Sequence, residues 1–177
     1  MTRAVVVYCT KYGSTAEVAQ AVADGLGADI ADMVDMPDIH PYELIVVGSP
    51  VYGGSYLPVA IEFLEANKHL LAVRKVATFI TAAADMESPV GLTGEVDPLL
   101  YTQQDYAEGL ARLTHGDVIG ARGFGGRLVP QKLDEADLDT LEWFYRRLMS
   151  ETLHGFDLLD LPAAHRWGEE LRNVIGG

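Results

Sequence analysis

The chain has 177 residues, 49% of them hydrophobic, and a formal net charge of −13. This length suits one domain over residues 1–177, and the apolar content argues against a disordered chain. The negative charge argues against nonspecific nucleic-acid binding and against docking on an anionic membrane. The single cysteine, Cys9, excludes an intrachain disulfide and a cysteine-based metal cluster. No apolar run is long enough to span a bilayer and no secretory signal is evident, so we expect a cytoplasmic protein.

Strand and helix patterns alternate over the first 121 residues. Strands are expected at 3–9, 29–34, 43–48, 74–81 and 117–121, and helices at 14–26, 58–68 and 101–113. Capping-box spacing of Ser14 and Glu17 favours a helix beginning at Ser14, and Gly25 and Gly27 are interpreted as its stop signals. The alternation predicts an α/β three-layer sandwich, with helices on both faces of a five-stranded parallel sheet of order 2-1-3-4-5. In that topology a ligand lies beyond the carboxyl ends of strands one and three.

The remaining residues exceed a minimal five-stranded domain. Residues 123–129 are expected to continue the last strand with a kink or bulge, 134–150 to form a helix, and 162–175 a final helix. We call residues 123–155 the added segment. The sequence leaves open whether the added segment covers the ligand site or pairs with another subunit, so a homodimer is one alternative.

Two loops carry residues suited to a phosphate-bearing, flat ligand. The first reads Thr10-Lys11-Tyr12-Gly13-Ser14-Thr15 and places hydroxyls and backbone N–H groups at a helix N-terminus, which favours a phosphate. Taken alone, that turn is equally consistent with a simple helix cap. The second loop, Ser49-Pro50-Val51-Tyr52-Gly53-Gly54, follows the third strand, and its glycines permit positive φ and close approach of the backbone to a ring.

Together these two loops resemble those of the flavodoxin family, whose cofactor is FMN. The resemblance extends over about residues 3–121. It implies that the first loop, which includes Lys11, binds the phosphate of FMN through Thr10, Tyr12, Gly13, Ser14 and Thr15. It implies that the isoalloxazine is lined by Pro50, Val51, Tyr52, Gly53 and Gly54, and that its pyrimidine edge passes Thr81, Ala82, Ala83 and Ala84.

The third loop departs from flavodoxins that carry electrons, which usually stack an aromatic residue there. It reads Thr81-Ala82-Ala83-Ala84-Asp85-Met86-Glu87, and such small residues leave one flavin face open to a substrate. The added segment, with Trp143-Phe144-Tyr145-Arg146-Arg147-Leu148, and the closing His165-Arg166-Trp167 resemble the flavodoxin-like protoporphyrinogen dehydrogenases that use quinone. That resemblance implies oxidation of a porphyrinogen-like substrate with a quinone as acceptor.

Two functions follow from these observations. We expect an FMN-dependent oxidoreductase acting on a small-molecule substrate, and the alternative is a one-electron carrier whose acidic surface steers it to a basic redox partner protein. A phosphoacceptor receiver domain is excluded because no carboxylate follows the first or third strand. P-loop and dinucleotide sites are excluded because their glycine patterns are missing. The sequence predicts no catalytic residue. The five histidines show no metal-ligand spacing and are expected at the surface. Cys9 is expected to be chemically inert.

Overall fold

Parallel strands form the central sheet, as the sequence predicts. The structure, a computed structural model, describes residues 2–82, 102–149 and 151–176. Within those residues the strands are β1 (Ala4–Tyr8), β2 (Asp29–Asp32), β3 (Leu44–Tyr52), β4 (Ser55–Tyr56), β5 (Lys75–Ala82), β6 (Asp117–Gly125), β7 (Arg127–Leu128) and β8 (Phe156–Asp157). Strands β2, β1, β3, β5 and β6 lie side by side in that order and are parallel. The predicted order 2-1-3-4-5 is therefore confirmed for these five strands.

Helices cover both faces of this sheet. They are α1 (Ser14–Leu26), α2 (Pro58–Leu71), α3 (Gln103–Thr114), α4 (Glu135–Phe144) and α5 (Leu161–Gly176). Val6 packs with α1 and α5 on one face, whereas the next residue, Val7, packs with α2 and α3 on the other. Because successive strand side chains point to opposite faces and both faces are covered, the strand sequences are continuously apolar. Within the described residues no helix combines the length and apolarity that crossing a membrane requires.

Helices α1 and α5 approach each other through two glycines. A Cβ at Gly25 would lie 2.0 Å from the carbonyl oxygen of His165, and a Cβ at Gly168 would lie 2.3 Å from that of Val22. Gly25 therefore does not end α1, as the sequence suggested, but allows close backbone contact inside the helix. The helix ends one residue later, and Gly27 follows it with φ 72°.

The start of α1 also differs in detail from the prediction. The helix begins at Ser14 as expected, but its N-cap is Gly13, with φ 98°, and no capping box forms. The Ser14 hydroxyl instead accepts a hydrogen bond from the backbone N–H of Arg127, 113 residues away along the chain. A contact with such a distant part of the chain is not visible in local spacing.

The added segment is not a simple continuation of the last strand. Strand β6 runs to Gly125, and the next residue still bonds to β5 because the Gly126 N–H donates to the Ala82 carbonyl at 2.7 Å. Strand β7 pairs antiparallel with β8 in a separate two-stranded sheet, so the predicted kinked continuation is wrong beyond Gly125. A short 3-10 turn (Pro130–Lys132) leads into α4, and a π-helical turn (Tyr145–Met149) follows it.

Candidate functional site

The carboxyl ends of β1, β3 and β5 meet at one edge of the sheet, where a cavity of about 190 Å³ opens. Nine of the predicted site residues line this cavity: Tyr12, Ser14, Thr15, Pro50, Val51, Tyr52, Gly53, Thr81 and Ala82. In the described part of the chain, Thr10, Lys11, Gly13 and Gly54 belong to the same loops but are not part of the cavity wall. Ala83 and Ala84 lie outside the described residues. The topology therefore brings residues from all three predicted loops to one place.

The first loop turns sharply into α1. Gly13 adopts a positive φ of 98°, and its N–H donates to the Thr10 hydroxyl oxygen at 2.9 Å. Because the N-cap residue has no side chain, the first turn of α1 receives no side-chain cap from it. The N–H groups of that turn are therefore available to an anionic ligand, which the helix dipole also favours.

A buried pair of hydroxyls joins the first loop to the third. The Thr15 and Thr81 Oγ1 atoms lie 2.8 Å apart, and both side chains are buried. One hydroxyl donates to the other, which gives each buried group a hydrogen-bond partner and lowers the cost of burying it. The pair links the start of α1 to the end of β5, and both residues line the cavity.

The second loop is a tight β-hairpin. Tyr52 pairs with Ser55 across β3 and β4, and the two residues between them, Gly53 and Gly54, have φ values of 54° and 79°. Two-residue hairpin loops of this kind require positive φ at both central positions, which glycine adopts without strain. The hairpin therefore presents backbone, without Cβ atoms, at the mouth of the cavity.

Tyr52 stands at the rim of the cavity beside Tyr12. Their rings meet edge to face with centroids 6.1 Å apart. Burial raises the pKa of Tyr52 to about 12, with a smaller contribution from Tyr12. Like any tyrosine, Tyr52 is protonated at neutral pH, so its hydroxyl can donate a hydrogen bond.

Part of the cavity wall comes from the added segment, whose position over the site was one of the two alternatives that the sequence left open. Its residues there are Gly126, Arg127, Leu128, Leu133, Asp137, Thr140 and Leu141. The available signal was the length of chain between the last sheet strand and the final helix, which exceeds what a five-stranded domain needs. The sequence alone could not tell on which side of the sheet this length would fold.

Lys11 lies in the first loop, but its ammonium group is directed at α4. Its Nζ is 2.8 Å from an Asp134 carboxylate oxygen and 2.6 Å from one of Asp137. Hydrogen bonds to these two carboxylates raise the pKa of Lys11 above its usual value. Lys11 is therefore cationic at any physiological pH, and its charge is shared with two aspartates.

The histidines lie at the surface, as predicted, and Cys9 is buried. Cys9 is buried, with its Sγ 3.7 Å from the Ser49 hydroxyl oxygen. The five histidines, His40, His69, His115, His154 and His165, are all exposed. Within the described residues, no group of three or more His, Cys, Asp or Glu side chains could hold a metal ion.

A family model described as "Flavodoxin domain" matches residues 5–150 of the chain. No curated protein sequence matches this chain.

Among solved structures, the chain is similar to a flavodoxin from the domain Archaea, at 16% identity over 99% of each chain and a TM-score of 0.59. It is also similar to a flavodoxin, WrbA-like protein from Agrobacterium tumefaciens, at 18% identity over 98% of this chain and 97% of that chain, with a TM-score of 0.52. A flavodiiron protein from Giardia intestinalis matches at 14% identity and a TM-score of 0.56, over 98% of this chain and 36% of its own. At these identities the similarities establish a shared fold.

Proposed function

We propose that this chain, which belongs to the flavodoxin family, is an oxidoreductase. In this proposal it oxidises a small reduced substrate and passes the electrons to a quinone or similar acceptor. Family membership makes it a flavoprotein with FMN as its cofactor and electron transfer as its general role. The identity of the substrate and of the acceptor goes beyond this and is proposed here.

The first loop fits the phosphate end of FMN. The uncapped first turn of α1 supplies backbone N–H donors, and the positive φ of Gly13 folds the loop around that turn. The hydroxyl of Thr10 accepts from the Gly13 N–H and keeps its own proton for a phosphate oxygen. We therefore assign the phosphate to Thr10, Tyr12, Gly13, Ser14 and Thr15. Lys11 belongs to the same loop, but its ammonium group is paired with Asp134 and Asp137.

The second and third loops fit the ring end. The Gly53–Gly54 turn allows backbone to lie against a flat heterocycle, and Pro50, Val51 and Tyr52 give the cavity an apolar side. We assign the pyrimidine edge to Thr81 and Ala82, and we extend this assignment to Ala83 and Ala84 on the family resemblance alone. Bound FMN supplies the hydride and electron-transfer chemistry, while the chain binds it, orients it and keeps water from it.

The observation that carries the proposal of an enzyme is the wall that the added segment contributes. Leu128, Leu133 and Leu141 face the loops across the cavity, so the site is a concave pocket rather than an open edge of the sheet. Small-molecule ligands are bound in concave, largely apolar pockets. This wall supports a small apolar substrate or acceptor such as a quinone.

Finer proposals rest on the sequence. A porphyrinogen-like substrate is proposed from the resemblance to quinone-using dehydrogenases, and we also propose one domain over residues 1–177 and a cytoplasmic location. The alternative is a one-electron carrier docking on a redox partner protein, for which the net charge of −13 is the supporting observation. A homodimer is a further proposal that the oligomeric state in solution would test.

Reoxidation of the reduced, FMN-loaded protein tests the proposed activity. The protein is reduced anaerobically and mixed with a soluble quinone or, separately, with cytochrome c as a one-electron acceptor protein. We expect the quinone to reoxidise it faster than the cytochrome does. Faster reoxidation by the cytochrome would contradict the enzyme and favour the carrier.

A matched pair of variants on α4 links that rate to the cavity. Thr140→Arg places a long cationic side chain in the cavity wall, whereas Ala136→Arg adds the same charge at an exposed position of α4 outside the wall. With FMN at saturation, we expect Thr140→Arg to slow reoxidation by quinone at least about tenfold, because a charged group in an apolar pocket opposes entry of an apolar acceptor. Ala136→Arg should leave the rate unchanged, and equal effects of the two variants would contradict the proposed pocket.

A further inference from the structure

The first loop is bound to the added segment at two separate places, and the residues involved are more than 100 positions apart in the sequence. One place joins the loop to the start of α4, and the other joins the first turn of α1 to β7. Contacts at such separation cannot arise from local turn geometry. They must be specified by the folded arrangement of the added segment over the loop.

The first place is a compact cluster of four residues. Lys11 Nζ is bonded to both Asp134 and Asp137, and the Tyr12 hydroxyl donates to the same Asp137 oxygen at 2.5 Å. The Asp134 backbone N–H donates back to the Tyr12 hydroxyl oxygen at 3.2 Å. The Asp137 side chain is 30% exposed, so these charge-assisted bonds are only partly screened by solvent. Asp137 also lines the cavity, which places this cluster at the edge of the site.

The second place is centred on Arg127. Its guanidinium bonds Glu17 of α1 at 2.7 Å and Asp157 of β8 at 2.8 Å, and its backbone N–H donates to the Ser14 hydroxyl at 3.3 Å. The hydrogen bonds to Asp157 and Glu17 raise the pKa of Arg127 further above its usual value. This anchor holds β7 beside α1 independently of α4.

We propose that Asp137, with Lys11 and Tyr12, forms a latch that holds α4 against the first loop and thereby retains the phosphate end of the bound flavin. The proposal rests on the proposed FMN site. It makes Asp137 a positioning residue: it does not bind the phosphate, because a carboxylate would repel it, but it fixes the two loop residues that precede Gly13. A fixed loop loses less conformational freedom when it binds the phosphate, and the ligand is released more slowly.

Whether FMN binding weakens or strengthens when Asp137 loses its charge distinguishes this role from simple electrostatics. Removing one negative charge near a phosphate should strengthen phosphate binding if Asp137 acted only through its charge. The latch predicts the opposite. With asparagine at position 137, the ion pair with Lys11 is lost and the hydrogen bond from Tyr12 loses its charge assistance, so the loop is held to α4 less firmly. Riboflavin, which has the same ring system and lacks the phosphate, should be insensitive to the latch.

The test compares Asp137→Asn with Asp139→Asn, which makes the same charge change at another position of the same helix, outside the latch. For each protein, quenching of flavin fluorescence gives the dissociation constants of FMN and of riboflavin, and displacement by excess competitor gives the release rate. We expect Asp137→Asn to release FMN about tenfold faster with an unchanged riboflavin constant, and Asp139→Asn to match the wild type for both ligands.

Different results would overturn the latch and the proposed cofactor site. FMN release from Asp137→Asn at or below the wild-type rate would overturn the latch while leaving FMN binding intact. Equal weakening of FMN and riboflavin would also overturn it, because that result indicates general damage to the pocket. Failure of the wild-type protein to bind FMN would instead overturn the proposed function itself.

Discussion

Cys9 shows how burial controls the chemistry of a single side chain. The thiol is 1% exposed, and burial raises its pKa to about 11, although a hydrogen bond with Ser49 acts in the other direction. At about pH 8 the thiol therefore stays protonated, and a protonated, inaccessible thiol does not attack a disulfide reagent. We expect the native protein not to react with Ellman's reagent at about pH 8.

The control for this prediction is the same protein unfolded in urea, where one thiol per chain should react, since the chain has one cysteine. Rapid reaction of the native protein would show that the Cys9 thiol is accessible to the reagent and would contradict the expectation that Cys9 is inert.

Some properties of single residues can be predicted from their neighbours in the sequence, and others cannot. The positive φ of Gly53 and Gly54 follows from the dipeptide itself, because a glycine pair between two strand-forming segments is typical of a two-residue hairpin. The partners of Lys11 do not follow from its neighbours, because Asp134 and Asp137 lie more than 120 positions later. Side-chain partners set by tertiary structure are the part of the site that the sequence could not supply.

At the scale of elements, the contact between α1 and α5 depends on a missing side chain. A Cβ at Gly25 would lie 2.0 Å from a backbone oxygen of α5, and neither backbone can move without disturbing the sheet beneath. We expect Gly25→Ala to lower the free energy of unfolding by about 3 kcal/mol, because overpacking outweighs the gain of about 1 kcal/mol in helix propensity. Urea denaturation measures the difference.

Gly176→Ala is the matched control, because that glycine is also helical and a Cβ there would meet nothing within 4 Å. It should leave stability unchanged or slightly raised. A Gly25→Ala protein as stable as this control would show that the two helices pack less closely than the structure indicates.

Elements differ in how far they could be predicted. The buried strands β1, β3 and β5 were predictable because parallel strands covered on both faces are continuously apolar, and short apolar runs between helical patterns are typical of that arrangement. The helix expected at 134–150 is found as α4, but the pairing of β7 with β8 was not predictable. Each of these strands has two residues, and within the described residues they form a sheet of their own. Strands this short carry no periodicity, so their pairing is decided by the surrounding structure.

The whole molecule carries a large excess of negative charge. Acidic residues outnumber basic ones by 26 to 13, so the folded chain repels itself at neutral pH. Salt screens this repulsion over distances beyond about 10 Å while weakening close ion pairs less. We expect the thermal midpoint to rise when sodium chloride is increased from about 0.02 to about 0.3 M at about pH 7. A falling midpoint would mean that the ion pairs, such as those of Lys11 and Arg127, matter more than the net charge.

The central claim concerns the phosphate loop at the start of α1, and a titration of the purified, flavin-free protein with FMN and with riboflavin tests it most directly. The account predicts one FMN bound per chain, with riboflavin at least about tenfold weaker because the charge-assisted bonds to the phosphate are lost. Equal affinity for the two ligands, or no binding of FMN, would contradict the assignment of that loop to a phosphate.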